Sequence, residues 1–354
     1  MVILIIAGGT GGHVYPALSI AQEFNNNGNS ISWIGQENSL EERICYDEKY
    51  SFYPIRARGF LGKGLIGKIT AIYFLTKALI KSLFLLNSIK PDLIISTGGY
   101  VSIAPGLVGS LFYPLFIHEQ NSIAGLANKI LHSRSRITFE AFPLTFSNLR
   151  NKVNSVGNPI RADIQNLALS AAPDLSKFKI LVLGGSQGSQ QINDILCSAL
   201  ENKIIPPGWS FTHQTGRLEC AKLIEVYEKC GVEFAIKEYI KDISEEYKNC
   251  DIVISRSGAM TVSEICAAGK PSILLPLPWS SDNHQYLNAN YLVEKGASEI
   301  IESDISNSEK LFDLLIELEK NHNRRDSMMK SASMVFPESA SENIYKIINE
   351  SLKI

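Results

Sequence analysis

Four times along this chain a short apolar run breaks into a turn built on glycine. Val2–Ala7 leads into Gly8-Gly9-Thr10-Gly11-Gly12, and Leu93–Ser96 into Thr97-Gly98-Gly99. Lys179–Leu183 leads into Gly184-Gly185-Ser186-Gln187-Gly188, and Ile252–Ser255 into Arg256-Ser257-Gly258. Runs such as Val2-Ile3-Leu4-Ile5-Ile6 are continuous rather than alternating, which marks strands buried on both faces. Longer helical stretches separate them, the pattern of a parallel sheet covered by helices. Ser30–Ile34 and Leu115–His118 complete the first half, Phe211–Gln214 and Ser272–Leu275 the second. The halves also repeat one another: Pro91-Asp92-Leu93-Ile94-Ile95-Ser96 answers to Cys250-Asp251-Ile252-Val253-Ile254-Ser255. The expectation is an α/β chain of two Rossmann-like domains facing each other across a cleft, and 354 residues suffice for about two domains. The boundary falls near Gly157-Asn158-Pro159-Ile160-Arg161, giving domains over 1–160 and 161–340. In the tail 341–354, Ile344, Ile347, Ile348 and Leu352 stand at helical spacing. A last helix packed on one of the domains follows, with the first as a candidate; the sequence does not choose.

A glycine turn between strand and helix brings backbone N–H groups close to an anion, and the helix N-terminus adds partial positive charge. One such turn can merely permit tight packing. Four in matched positions, all beyond the carboxyl ends of strands, point to a ligand that carries phosphate. No turn reads G-x-x-x-x-G-K-[ST], which disfavours a P-loop ATPase or kinase. The first turn begins as G-x-G at Gly9 and Gly11 but has Val14 at the third position. The dinucleotide fingerprint is therefore incomplete and a dehydrogenase is disfavoured, although Glu37 could stand for its ribose carboxylate. No two aspartates stand at i, i+2 and no H-E-x-x-H occurs, so neither a metal site nor a cofactor is read.

Ser255-Arg256-Ser257-Gly258-Ala259-Met260-Thr261-Val262-Ser263-Glu264 reads as strand, turn and helix start. Thr261 and Ser263 can be ordinary capping groups. Glu264, ahead of Ile265-Cys266-Ala267-Ala268, is either solvated or chelates a vicinal diol such as ribose. His13 follows Gly12 directly and so belongs to the first helical turn, where the positive helix end favours a neutral imidazole, the form a general base needs. A lone histidine more often caps or packs. His118-Glu119-Gln120-Asn121 closes a fourth strand at the same sheet edge, and the two together carry more weight than either alone.

At this point the chain resembles the MurG family. These bacterial transferases move N-acetylglucosamine from UDP-N-acetylglucosamine onto undecaprenyl-diphospho-muramoyl-pentapeptide (lipid I), giving lipid II for peptidoglycan. The matching motifs are Gly8–His13 with Pro16-Ala17-Leu18, Thr97-Gly98-Gly99-Tyr100, His118–Asn121 with Gly125 and Asn128, Gly157–Arg161, Gly184–Gly188, His213–Gly216, Ser255–Glu264, and Gln285 with Asn288-Ala289. They span nearly the whole chain in the family's order. The resemblance implies the two-domain fold called GT-B, with the nucleotide sugar on the C-terminal domain and acceptor and membrane on the N-terminal one. It implies sugar-nucleotide contacts from Thr10, Gly11, Gly12, Asn121 and Arg161 in the first half. From the second it implies Ser186, Ile240, Ala259, Met260, Thr261, Val262, Ser263, Glu264 and Gln285. Glu264 would take the ribose hydroxyls, Ser186 and the backbone at Ala259–Met260 the diphosphate, and Ile240 the uracil edge. Gln285 and Asn121 would read the sugar. His13 is the candidate base, with Glu119 and Tyr100 as acceptor-side helpers. The implied reaction inverts the anomeric carbon and uses no metal. Two departures stand out: Ser189 replaces the usual alanine after the second glycine turn, and Leu277–His284 is one residue longer than expected.

Net charge is −2, which excludes a bulk polycation for nucleic acid, but residues 1–160 carry 14 Lys/Arg against 9 Asp/Glu. Between Lys49 and Pro91 stand eight basic residues and no acidic one, interleaved with aliphatic and aromatic side chains such as Phe60, Leu61, Phe74, Leu83 and Phe84. Lys77 and Lys81 share a helix face. Such a helix can pack on a core with its lysines solvated, or lie on an anionic membrane. A lipid-linked acceptor favours the membrane, and places the protein peripherally at the cytoplasmic face of the plasma membrane. The stretch Leu65–Ile89 is cut by Lys68, Lys77 and Lys81, so it is not read as a span. The N-terminus lacks the basic region of a signal peptide, and six dispersed cysteines read as reduced. The alternatives are an epimerase or glycolipid synthase on the same fold, and a non-catalytic nucleotide-sugar-binding subunit, which would be expected to lose His13 or the acceptor half.

Overall fold

The apolar runs become the middles of two parallel sheets. The structure, a computed structural model, describes residues 1–56, 65–146, 153–165, 167, 177–185, 187–201, 203–218, 220–280 and 283–353; for 65–73 it describes the backbone alone. The chain divides into two compact units, Met1–Arg161 with Pro337–Ile354, and Ala162–Phe336.

The first unit holds β1 (Val2–Ala7), β2 (Ser30–Gly35), β3 (Ser51–Pro54), β4 (Leu93–Gly98), β5 (Leu115–Glu119), β6 (Ile137–Glu140) and β7 (Val153–Ser155). They pair in the order β3-β2-β1-β4-β5-β6-β7, every pair parallel. Successive residues of a strand face opposite sides, and the core divides accordingly. Ile3, Ile5 and Ala7 pack with Val14, Ala17, Ile20 and Phe24 of the helix Gly11–Asn26. Leu4 and Ile6 pack on the other side with Ala78 and Leu86 of the helix Leu65–Ile89 and with Leu131. Full burial of such side chains contributes about 1.5–3 kcal/mol each. The tail helix Ala340–Leu352 joins this unit: Ile344 and Ile348 enter the core, and Tyr345 meets Phe24 edge-on at 5.0 Å.

The second unit holds β8 (Phe178–Leu183), β9 (Trp209–Gln214), β10 (Glu233–Lys237), β11 (Ile252–Ser255), β12 (Ser272–Leu274) and β13 (Ser298–Ile300), ordered β10-β9-β8-β11-β12-β13. In both sheets the first strand lies between its successor and a later strand, so β1/β4 and β8/β11 are the points where strand order reverses. Ligands of such sheets bind there. The internal repeat has a physical basis. The Asp92 carboxylate accepts the Val2 N–H at 2.7 Å, and Asp251 accepts that of Lys179 at 2.7 Å. Each aspartate, just ahead of the neighbouring strand, ties down an N–H at the start of the central strand. Among the described residues no helix is long and apolar enough to cross a membrane, and all six cysteines are unbonded thiols.

Candidate functional site

In the first unit the turns after β1 and β4 lie against one another. Thr10, in extended conformation, precedes the helix Gly11–Asn26, and its carbonyl accepts the N–H groups of His13 at 3.0 Å and Val14 at 3.2 Å. Gly11 and Gly12 carry no side chain to cover the helix end, which leaves it open to an anion. The ladder slips at Ile6/Ala7, setting Ala7 opposite Gly98. Gly99 follows at φ +86°, where a Cβ would lie 2.1 Å from the Gly8 carbonyl oxygen. Only glycine allows that approach.

His13 is held from behind. Its Nδ1 lies 2.9 Å from the Thr97 carbonyl oxygen and 3.0 Å from Gln120 Oε1. The Thr97 hydroxyl donates back to the His13 carbonyl at 2.8 Å. Gln120 Nε2 reaches His118 Nδ1 at 3.1 Å and the His118 carbonyl at 3.0 Å, while His118 Nε2 reaches the Gly157 carbonyl at 2.9 Å. Burial pushes His118 down to about 4, against which the Gly157 hydrogen bond acts, so this ring is neutral near pH 7.

Glu119, grouped above with the acceptor-side helpers, is fully buried. Its Oε1 accepts the N–H groups of Gln120 at 3.0 Å and Asn121 at 3.1 Å, and its Oε2 accepts those of Gly125 and Asn128 Nδ2, both at 2.9 Å. Such a carboxylate ties the loop after β5, where N–H groups of residues 120 to 128 converge on its two oxygens. Asn121 belongs to the same cluster, its Nδ2 3.4 Å from Glu119 Oε1. Tyr100 opens a single 3₁₀ turn after Gly99 and is exposed. Arg161 is the last residue of the first unit's main segment and half-buried. Glu37 is ion-paired with Arg56 at 3.1 Å on the surface.

In the second unit Ser186 lies outside the described residues. The flanking turn is braced by Gln214, whose Nε2 donates to the Gly185 carbonyl at 2.9 Å and whose Oε1 accepts the Ile240 N–H at 3.2 Å. Ile240 is thereby fixed, buried, beside the glycine turn. Ala259–Ala267 is a helix that starts after Gly258 with no side-chain cap, and Asn288 Nδ2 donates to the Ser257 carbonyl at 3.1 Å. Met260, Thr261 and Glu264 are half-buried along it and Ala259, Val262 and Ser263 are buried. Glu264 Oε2 receives the Tyr247 hydroxyl at 3.4 Å. Gln285 Oε1 accepts the Leu277 N–H at 2.9 Å, closing its own loop. Thus β8 brings together the turn at 184–188, Ile240 and the helix start at 259; His13, Asn121, Glu119 and Tyr100 gather in the first unit.

Residue patterns missed the braces. Gln120, Gln214 and Arg256 carry no role in the sequence reading, yet all three are buried at strand ends. Arg256 donates to the carbonyls of Leu275 at 2.9 Å and Pro276 at 3.2 Å, to Ser303 Oγ at 2.6 Å, and to Gln191. All these partners are neutral, and burial lowers Arg256 to about 10. The available signal was a polar or charged residue interrupting an apolar strand end.

Two Rossmann-like units, each with a glycine turn at its switch point, make a fold of the GT-B glycosyltransferase kind. Residues 3–139 match the glycosyltransferase family 28 N-terminal domain, and residues 179–348 its C-terminal domain. Two curated relatives bear the name UDP-N-acetylglucosamine--N-acetylmuramyl-(pentapeptide) pyrophosphoryl-undecaprenol N-acetylglucosamine transferase. That of Pseudomonas putida (strain W619) is 35% identical over 98% of this chain and 97% of its own. That of Pseudomonas savastanoi pv. phaseolicola is 35% identical over 98% of each. A crystal structure of Acinetobacter baumannii MurG superposes with a TM-score of 0.83 at 28% identity, covering 99% of both chains. UDP-GlcNAc 2-epimerase from Neisseria meningitidis, bound to UDP-GlcNAc, shares the fold at a TM-score of 0.71 and 15% identity, covering 99% of this chain and 100% of its own. The chain belongs to glycosyltransferase family 28 and, within it, to the MurG family of N-acetylglucosamine transferases.

Proposed function

We propose that this chain transfers N-acetylglucosamine from UDP-N-acetylglucosamine to lipid I, giving lipid II, at the cytoplasmic face of the membrane. The observation that carries the reading is His13. Its ring stands at the first unit's switch point, its Nδ1 is committed to Thr97 and Gln120, and among the described residues no group hydrogen-bonds its Nε2. An imidazole so held, donating from Nδ1, carries its lone pair on Nε2, as a general base needs. In the proposed step the acceptor hydroxyl attacks the anomeric carbon opposite the α-linked UDP. The new C–O bond forms as the bond to the diphosphate oxygen breaks, UDP leaves with that electron pair, and the hydroxyl proton passes to His13 Nε2. The product linkage is β.

The second unit is the proposed donor site. N–H groups of the turn at 184–188 and of the helix start at Ala259–Met260 meet the diphosphate, with Ser186 on it and Arg256 adding a buried positive charge behind. Glu264 takes the ribose hydroxyls and Ile240 the uracil edge. Thr261, Val262 and Ser263 complete that helix turn, and Gln285 meets the sugar. From the first unit Thr10, Gly11, Gly12, Asn121 and Arg161 contact the donor, and Tyr100 lies toward the acceptor. Membrane docking falls to the helix Leu65–Ile89, where Lys77 and Lys81 are exposed beside Ile80, Leu83 and Phe84, the last 71% accessible. Leu111 and Phe112, after the helix Ile103–Gly109 packed on it, are exposed as well. The test is transfer of labelled N-acetylglucosamine from its UDP donor to a lipid I analogue with a chelator present. Transfer with inversion is expected; epimerised UDP sugar without transfer would refute the reading.

A further inference from the structure

We infer that Gln120, clasped between His118 and His13, is a positioning residue that selects the tautomer of His13 and so decides which ring nitrogen faces the substrate. Both ends of its amide are identified by their neighbours. The nitrogen lies 3.0 Å from the His118 carbonyl oxygen, which can only accept, so that end is the NH₂. Oε1 must then face His13 Nδ1, at 3.0 Å. The Thr97 carbonyl, also acceptor-only, lies 2.9 Å from the same nitrogen. Two acceptors converging on one ring nitrogen require a proton there, and the lone pair is left on Nε2.

The rest of the chain of contacts follows without further freedom. The second NH₂ proton of Gln120 points to His118 Nδ1, so His118 carries its proton on Nε2 and gives it to the Gly157 carbonyl at 2.9 Å. Asn158 Nδ2 holds the Gln120 carbonyl at 3.1 Å. Gln120 is 1% exposed and His118 fully buried, so water does not compete. A buried ring that stays neutral keeps its own tautomer, and with it the orientation of Gln120. The direction of the effect on rate is set by charge. When His13 takes a proton, its Nδ1–H bonds to two neutral oxygens become charge-assisted and strengthen. A glutamate at 120 would attract the proton before the substrate arrives. The glutamine favours the base form at rest and supports the acid form in the transition state.

The effect on turnover rests on His13 being the base; the tautomer does not, and the experiment separates them. The protein has six histidines, so selective ¹⁵N-imidazole labelling gives a spectrum assignable with His13→Gln and His118→Gln variants. In the wild type at pH 7.5 the His13 signals should show a protonated Nδ1 and a bare Nε2; a protonated Nε2 overturns the proposal without any variant at position 120. Gln120→Leu should mix the tautomers and lower kcat about tenfold, with the KM for UDP-N-acetylglucosamine within about twofold, since the Thr97 bond remains. Gln120→Glu should retain more turnover than Gln120→Leu and move the acid limb of the kcat–pH profile upward by about one pH unit. An unchanged tautomer and kcat in Gln120→Leu, or an unmoved acid limb in Gln120→Glu, overturns the proposal. Wild-type turnover in His13→Ala would remove the base assignment, while the labelled spectrum would still decide the tautomer.

Discussion

Acid should loosen both units of this protein, and by a predictable amount. Each buries a histidine: burial pushes His118 from 6.5 down to about 4 and His213 down to about 3. In the unfolded chain both take up a proton near pH 6.5. Below that pH the unfolded state binds more protons than the folded one, so stability falls with pH and levels off only below the folded values. At 1.36 kcal/mol per pH unit, the spans 6.5 − 4 and 6.5 − 3 correspond to at most about 3 and about 5 kcal/mol. At pH 5 neither limit is reached, and each histidine costs about 2 kcal/mol. That is a large share of a typical stability of about 5–15 kcal/mol. The assay is urea unfolding from pH 7.5 to 5, read peptide by peptide through hydrogen exchange so that the units are followed separately. His118→Gln should flatten the slope of the first unit alone, and His213→Gln that of the second alone. A wild-type stability that stays level between pH 7 and 5 refutes the reasoning, as does a slope that neither variant alters.

Other substitutions test the packing of the site and its surroundings. Glu119→Gln sets an NH₂ group against N–H donors and should lower stability by about 2–4 kcal/mol, measured by urea unfolding of the first unit; wild-type stability would contradict the convergence of five N–H donors on that carboxylate. Gly99→Ala meets both a positive φ and the Gly8 carbonyl, whereas at Gly9, φ +106°, an added Cβ has nothing within 4 Å. Gly9→Ala should cost about 1–2 kcal/mol and Gly99→Ala clearly more, and equal melting temperatures would refute the close approach. Lys77→Gln with Lys81→Gln should weaken co-sedimentation with anionic liposomes by about 2 kcal/mol at low salt; binding indifferent to lipid charge or salt would exclude the docking face.

The strands read from the sequence are those at the sheet centres: β2-β1-β4-β5 in one unit and β9-β8-β11-β12 in the other. β1, β4, β8 and β11, buried on both faces, are largely continuous apolar runs, and that shows in a bare sequence; β2 and β9 showed by shorter apolar runs. The strands left unread, β3, β6, β7, β10 and β13, lie toward the edges, are three to five residues long and mix polar with apolar positions, as in Val153-Asn154-Ser155. Their existence follows from neighbours that only tertiary structure supplies. At the site, the glycine turns and His13 were legible because backbone approach and helix starts impose residue types. The surroundings of Glu119 were not legible. A sequence shows a carboxylate next to a candidate base, but the N–H groups of residues 120 to 128 converge on it only in the folded loop.

Each unit has a buried glutamine at the end of a strand that bridges two neighbouring segments, and the choice of an amide has a physical reason. Gln120 joins His118 to His13 in the first unit, and Gln214 joins Gly185 to Ile240 in the second. A side chain that spans two turns must accept from one and donate to the other, which hydroxyls do over too short a reach and carboxylates cannot do at all. A lysine or arginine in the same place would bring a charge without an acceptor, and a carboxylate would repel a diphosphate bound at the turn. Neutrality matters most where the ligand is charged, because an anchoring charge acts on the ligand as strongly as on the turn. The amide therefore lets the backbone N–H groups and helix ends set the field while it holds them still. Arg256, the buried cation of the second unit, is held the same way, by neutral oxygens of Leu275, Pro276 and Ser303 and not by a carboxylate.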